Sequence, residues 1–126
     1  MVEAAWIDHI HVHVADVERA ARFYRDVFAA TERFRVGPQL IFLALPSGGI
    51  VALDGRPPSG RNPPHVGMEL GPTVEIEDAV RIVEHAGGSL VERGEHAPGV
   101  QYAYLADPDG NVFELLTSPN QTPPAA

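Results

Sequence analysis

The chain has 126 residues, 44% of them hydrophobic and 21% charged, with a formal net charge of −8. That length fits one domain with a proper core, and the acidic balance argues against a nucleic-acid or anionic-membrane partner, since both need a basic footprint. All nine basic residues are arginine and cysteine is absent, which excludes disulfides, thiolate zinc sites, thiol nucleophiles, Schiff bases and a P-loop, and tilts any enzymatic reading towards metal or acid–base chemistry.

Met1 to Ile7 has no basic n-region and no long apolar run, so no secretory signal is expected there. No stretch approaches the ~20 apolar residues that span a bilayer. The expected compartment is the cytoplasm.

In chain order, Trp6–Val14 alternates with period two: Trp6, Ile10, Val12 and Val14 on one face, His9, His11 and His13 on the other. Asp16 then caps a helix carrying Val17, Ala20, Ala21, Tyr24, Val27 and Phe28 at helical spacing. Three short strands follow, Thr31–Val36, Gln39–Leu45 and Ile50–Asp54, punctuated by Gly37-Pro38 and Pro46-Ser47-Gly48-Gly49. Gly55–Pro64 is too rich in proline and glycine for helix or central strand and reads as a linker.

After it the order repeats. His65–Leu70 is a strand with His65, Gly67 and Glu69 on one face. A second helix carries the stripe Ala79, Ile82, Val83 and Ala86 and stops at Gly87-Gly88. Strands Ser89–Arg93, Val100–Leu105 and Val112–Thr117 close the unit, the last two joined by the type I turn signal Asp107-Pro108-Asp109-Gly110. The layout is β-α-β-β-β twice within a single domain 1–126: module one 6–54, linker 55–64, module two 65–117 and a frayed tail 118–126. Helices on one face of a mainly antiparallel sheet make the fold class α+β.

Three residues stand out for chemistry. His9 and His65 hold matching places at the outset of each module's first strand. Glu114 lies in a strand that is apolar on both faces, where an ionised carboxylate must be paired or metal-bound. Two histidines and one carboxylate from three strands are the ligand set of a facial triad with open positions, which zinc, nickel, manganese or ferrous iron can occupy. The competing reading makes the histidines surface residues and pairs Glu114 with Arg22 or Arg35. His11 shares the His9 face and can line the same surface, whereas His13 fits a solvated strand face. Tyr102 and Tyr104 share one face of a late strand, as ligand contacts or cross-strand packing. His85 suits a helix C-terminus, His96 a solvated loop or lid, and Glu69 repeats the place of His13 as a pocket carboxylate.

Asp8-His9-Ile10, Val14-Ala15-Asp16 and Phe23-Tyr24-Arg25-Asp26 resemble the opening of a vicinal oxygen chelate protein. Asp107-Pro108-Asp109-Gly110-Asn111 running into Phe113-Glu114-Leu115 resembles its ending. That superfamily holds glyoxalase I, bleomycin resistance proteins, fosfomycin resistance transferases and extradiol dioxygenases. The resemblance implies paired βαβββ modules forming a curled mixed-sheet cup around one divalent metal ion, usually in a homodimer. It lays the metal ligands on His9, His65 and Glu114. The fourth, carboxylate ligand of glyoxalase I-like members falls on Ala52, which counts against glyoxalase I itself. The threonine that fosfomycin resistance members use two residues after the first histidine is His11 here.

The implied function is a metal-dependent enzyme acting on a small substrate chelated through adjacent oxygens, by lyase or isomerase, dioxygenase or thiol transferase chemistry. With Ala52 unable to serve, His11 and then Tyr104 are the candidate catalytic residues for proton transfer. The alternative is a protein of the bleomycin resistance type that sequesters a cationic drug, for which the net charge of −8 is suitable.

Overall fold

Period-two stretches form eight strands and the two helically spaced stretches form helices, among the described residues 1–2, 5–46, 48–59 and 62–118 of a computed structural model. In chain order these are β1 (Trp6–His13), α1 (Val17–Phe28), β2 (Thr31–Arg35), β3 (Leu40–Ala44), β4 (Ile50–Asp54), β5 (His65–Glu69), α2 (Ile76–His85), β6 (Ser89–Ala97), β7 (Val100–Ala106) and β8 (Val112–Leu116). Among the described residues one compact unit lies within His9–Pro64, and the other takes in the N-terminal stretch to Asp8 with residues 65–118. The fold is α+β with mixed parallel and antiparallel strand pairing.

In the first unit the strand order is β2-β3-β4-β1, antiparallel except for the parallel pairing of β1 with β4. Asp16 caps α1 through its side chain, which accepts a hydrogen bond from the Arg19 N–H at 3.1 Å. Glu18 in the first turn and Arg25 in the last suit the helix dipole. Val17 and Ala21 face the sheet and pack with Ile41, Leu43, Val51 and Leu53, with Val12 and Val14 at the margin. Val27 and Phe28, placed on the same stripe by their spacing, are instead exposed, and the Phe28 ring packs against Phe23 and Tyr24. The helix ends on Ala29 in the left-handed region, at φ 57°, a conformation that an L-residue with a Cβ enters at a cost. Because α1 covers one face, His11, His13, Ala52 and Asp54 emerge on the other.

In the second unit the order is β5-β8-β7-β6, parallel between β5 and β8 and antiparallel elsewhere. The buried face of α2 is Ile76, Ala79 and Val80, packed on Leu70, Ala103, Leu105 and Leu115. The expected stripe is therefore rotated: Ile82 is partly exposed, and Ala86 lies beyond the helix, its N–H bonded to the carbonyls of Ile82 and Val83. Gly87 takes φ 103° there, and a Cβ on Gly88 would come within 2.8 Å of the Ala106 carbonyl, so both glycines are required.

The other correction concerns β6, which runs to Ala97 rather than stopping at Arg93. Pairing with β7 continues through Gly94↔Tyr102, Glu95↔Gln101 and Ala97↔Val100, with irregularities that keep the long hairpin in register. Pro98 and Gly99 close it, Gly99 at φ 80°. His96 thus belongs to a strand and not to a loop. Elsewhere strand ends agree with the sequence pattern to within a residue. The Asp107 turn forms as expected, with Gly110 N–H on the Asp107 carbonyl at 2.9 Å. Of the tail, residues 119–126 lie outside the described residues.

Replacing Ala29 with glycine removes the strain at φ 57° and is expected to stabilise the chain by about 1 kcal/mol, read from urea denaturation at constant m. A loss of stability would show that the left-handed cap carries no strain.

Candidate metal and ligand site

In the second unit α2 takes up one face of the sheet, through Met68, Leu70, Ala103, Leu105, Phe113 and Leu115. Alternation therefore turns His65, Gly67, Glu69, Glu114, Tyr102 and Tyr104 to the opposite face. Glu114 lies there between Gly67 on β5 and Tyr104 on β7. It is 1% exposed. Its Oε1 is 3.2 Å from Nε2 of the buried His65, and its Oε2 is 2.5 Å from Nε2 of His96. The Tyr104 ring meets His65 edge to face at 5.0 Å, which fixes the imidazole plane. The His96 ring stacks on Tyr102 at 4.1 Å, and the Tyr102 hydroxyl donates to Glu92 at 3.3 Å. The Tyr102 ring lies close over Gly94, where a Cβ would come within 3.2 Å of it.

Among the described residues the Glu114 carboxylate is thus met by the imidazoles of His65 and His96. Arg35, one of the two partners considered for it, pairs with Glu18 and Glu32 instead. Imidazole nitrogens and a carboxylate are the donor set that a divalent cation takes. A metal ion therefore fits the residues present.

The first unit buries a different carboxylate. Asp54 is 0% exposed and receives the Arg56 backbone N–H and Nε at 2.9 Å each, Arg56 Nη2 at 2.8 Å, Asn62 Nδ2 at 3.0 Å and His11 Nε2 at 2.9 Å. Burial pushes this carboxyl up, but the Arg56, Asn62 and His11 hydrogen bonds outweigh it and hold the group well below the usual carboxylate range. His13 is half-buried, with its two ring nitrogens 2.7 Å from the carbonyl oxygens of Arg56 and Asn62. It ties the 55–64 segment to β1, contrary to the expectation of a solvated face. Donor atoms of His11, His13 and Asp54 lie within 4.8 Å of one another, as metal ligands would. However, the Arg56 guanidinium already neutralises both Asp54 oxygens, so we read the cluster as a clamp on the linker.

His9 stands on β1 opposite Ile50, half-buried, and His11 stands opposite Ala52. Ala52 is buried, so β4 has no carboxylate at that position. His85 lies in the last turn of α2, as its dipole argument anticipates. Sequence reasoning missed His96 as a partner of Glu114 and Asp54 as a partner of His11. The alternation Glu92, Gly94, His96 was the available signal for the first. The second was signalled by His11, His13 and the end of β4 facing one way.

Glu69 is the third buried acid. It is 7% exposed, and burial, with a smaller contribution from the charge of Asp8, pushes its carboxyl up to about 6.

Residues 6–115 match the model of the Glyoxalase/Bleomycin resistance protein/Dioxygenase superfamily. No curated protein sequence matches the chain significantly. Among solved structures, a hypothetical protein from Bacillus halodurans C-125 is similar with TM-score 0.71 and 18% identity, over 96% of this chain and 99% of that one. Methylmalonyl-CoA epimerase from Mycobacterium tuberculosis has TM-score 0.68 and 18% identity, over 93% and 92%. The Mn(II)-bound glyoxalase from Novosphingobium aromaticivorans has TM-score 0.72 and 21% identity, over 90% of this chain and 38% of that one. At these identities the likeness is one of fold.

The raised carboxyl of Glu69 makes stability depend on pH. From 4.5 to about 6 is a shift worth about 2 kcal/mol, absent below pH 4.5 and complete above about pH 6, where the folded state resists ionisation. Glu69→Gln is therefore expected to stabilise the metal-free chain at pH 8 by up to that amount more than at pH 4.5. Urea denaturation at the two pH values checks it, and equal effects at both would contradict the assignment.

Proposed function

Since the chain belongs to the glyoxalase/bleomycin resistance protein/dioxygenase superfamily, we propose that it is a divalent-metal enzyme acting on a small substrate chelated through adjacent oxygens. The observation that carries this reading is the buried Glu114 carboxylate held between His65 and His96. His65 and Glu114 supply two ligands, and the resemblance lays the third on His9, at the corresponding place on β1. One metal ion, zinc, nickel, manganese or ferrous iron, would act when bound as a Lewis acid on the chelated oxygens.

The remaining steps belong to the chain's own residues. His96 holds Glu114 Oε2 and leaves Oε1 turned towards His65, so the carboxylate offers one oxygen in a fixed direction. Tyr104 packs on the His65 ring and is, after His11, the second candidate general base. His11 donates from Nε2 to Asp54, which sets its tautomer and orients it for proton transfer. Buried side chains around Glu114 exclude water and strengthen each of these interactions. Lyase or isomerase, dioxygenase and thiol transferase chemistry are all compatible with this arrangement. The Mn(II)-bound glyoxalase and the methylmalonyl-CoA epimerases among the similar structures support the isomerase-type reading.

We assign the working form to a homodimer in the cytoplasm, with no nucleic-acid or membrane partner. Exposed Phe23, Val27 and Phe28 on α1 support a covered surface there. No described helix is long and apolar enough to cross a membrane. The second reading, drug sequestration of the bleomycin resistance type, draws on the net charge of −8 and needs no metal.

Calorimetric titration with zinc separates the two. Wild-type protein is expected to bind about one ion per chain. His9→Ala, His65→Ala and Glu114→Ala are expected to abolish uptake, and His96→Ala to weaken it about 10–100-fold through loss of the Glu114 contact. Wild-type protein that takes up no zinc, nickel, manganese or iron would refute the enzyme reading.

A further inference from the structure

Among the described residues three carboxylates are buried, and two have side-chain partners: Asp54 has Arg56, and Glu114 has two imidazoles. Glu69 accepts no hydrogen bond among the described residues, although it is more than nine-tenths buried. It projects from β5 on the same face as His65, away from α2. In the β5/β8 register Gly67 stands opposite Glu114 and Glu69 opposite Leu116, so Glu69 and Glu114 are diagonal neighbours. A strand spacing of about 4.8 Å and a two-residue offset put their Cα atoms about 8 Å apart, near enough for one small ligand to span both side chains.

Among the described residues the charge that bears on Glu69 is Asp8, at the outset of β1, and it opposes a further negative charge. A carboxylate in that setting gains by taking up a proton, and burial has already moved its titration to about 6.

A ligand that binds a cation as its hydroxyl anion, as a hydroxamic acid does, gives up the hydroxyl proton on binding. On β4 the position where the resemblance expects a carboxylate is Ala52, and the Asp54 carboxylate is already bonded to Arg56, Asn62 and His11. We propose that Glu69 is the residue that receives the proton a chelating ligand gives up as it binds. The ligand O–H bond breaks, its electron pair stays on the oxygen that binds the cation, and the proton forms a new O–H bond on the Glu69 carboxylate. The acid so formed donates a hydrogen bond back to the anionic ligand oxygen, which retains the proton there at neutral pH. The ligand class follows: a hydroxy-carbonyl or hydroxamic acid that binds as its anion. This inference rests on the metal site proposed above.

The experiment uses zinc-loaded protein and acetohydroxamic acid, a small chelator with adjacent oxygens, titrated by calorimetry at pH 7 in buffers of different ionisation enthalpy. The buffer dependence counts protons released to solvent. Wild-type protein is expected to release about one proton fewer per bound hydroxamate than Glu69→Gln, and Glu69→Ala gives the same count should the glutamine variant not fold. Equal counts in wild-type and variant protein, with zinc uptake intact, would overturn the role of Glu69 alone. Zinc uptake that survives His65→Ala unchanged would overturn the metal site and this inference with it.

Discussion

Removing a carboxylate from water costs several kcal/mol unless charge or hydrogen bonds replace the solvent, and the chain meets that constraint differently at each buried acid. At Asp54 an arginine, an asparagine and a histidine surround both oxygens, so the charge is neutralised within the first unit. The result is structural: the 55–64 segment, too rich in proline and glycine to hold itself, is tied to β1 and β4. At Glu114 the partners are imidazoles, which donate hydrogen bonds without a permanent positive charge. Together with them the carboxylate makes a donor set suited to a divalent cation. At Glu69 no hydrogen-bonding partner is present among the described residues, and the group resists ionisation.

That ordering explains why the backbone is built as it is. Parallel pairing of β5 with β8 sets the first strand's histidine and the last strand's acid on one face of the second unit. Antiparallel pairing with β7 and β6 then lays Tyr104 beside that acid and brings His96 over Tyr102 to its outer oxygen. Gly94 permits the stack, because any side chain there would meet the Tyr102 ring. The helices contribute by occupying the other face, which leaves the polar residues of each strand directed away from them. Burial and the polar face are two consequences of one period-two pattern.

Much of this was legible in the residues themselves. Alternation around His9 and His65, the Asp16 cap and the Asp107 turn each carry a local physical signal, and the strands they delimit form almost where the pattern puts them. Glu114 was recognisable because a charged residue interrupts an apolar strand. The misses share one cause: they depend on pairing at a distance. Gly94 lowers strand propensity, so β6 is legible only to Arg93, whereas the ladder with β7 carries it to Ala97 and brings His96 to Glu114. The Asp54 clamp joins residues 43 positions apart in the chain, which no local pattern reports. The face of α2 was misjudged by part of a turn, since Ile76 and Val80 bury themselves in preference to Ile82.

The central claim is that Glu114 is there to bind a metal ion and that the Asp54 clamp is not. Anomalous diffraction at the metal edge from manganese- or zinc-soaked crystals tests it most directly. The account predicts one anomalous peak, within bonding distance of a Glu114 oxygen and a His65 nitrogen. A peak at His11, His13 and Asp54 with none at Glu114, or no peak at either cluster, would contradict it.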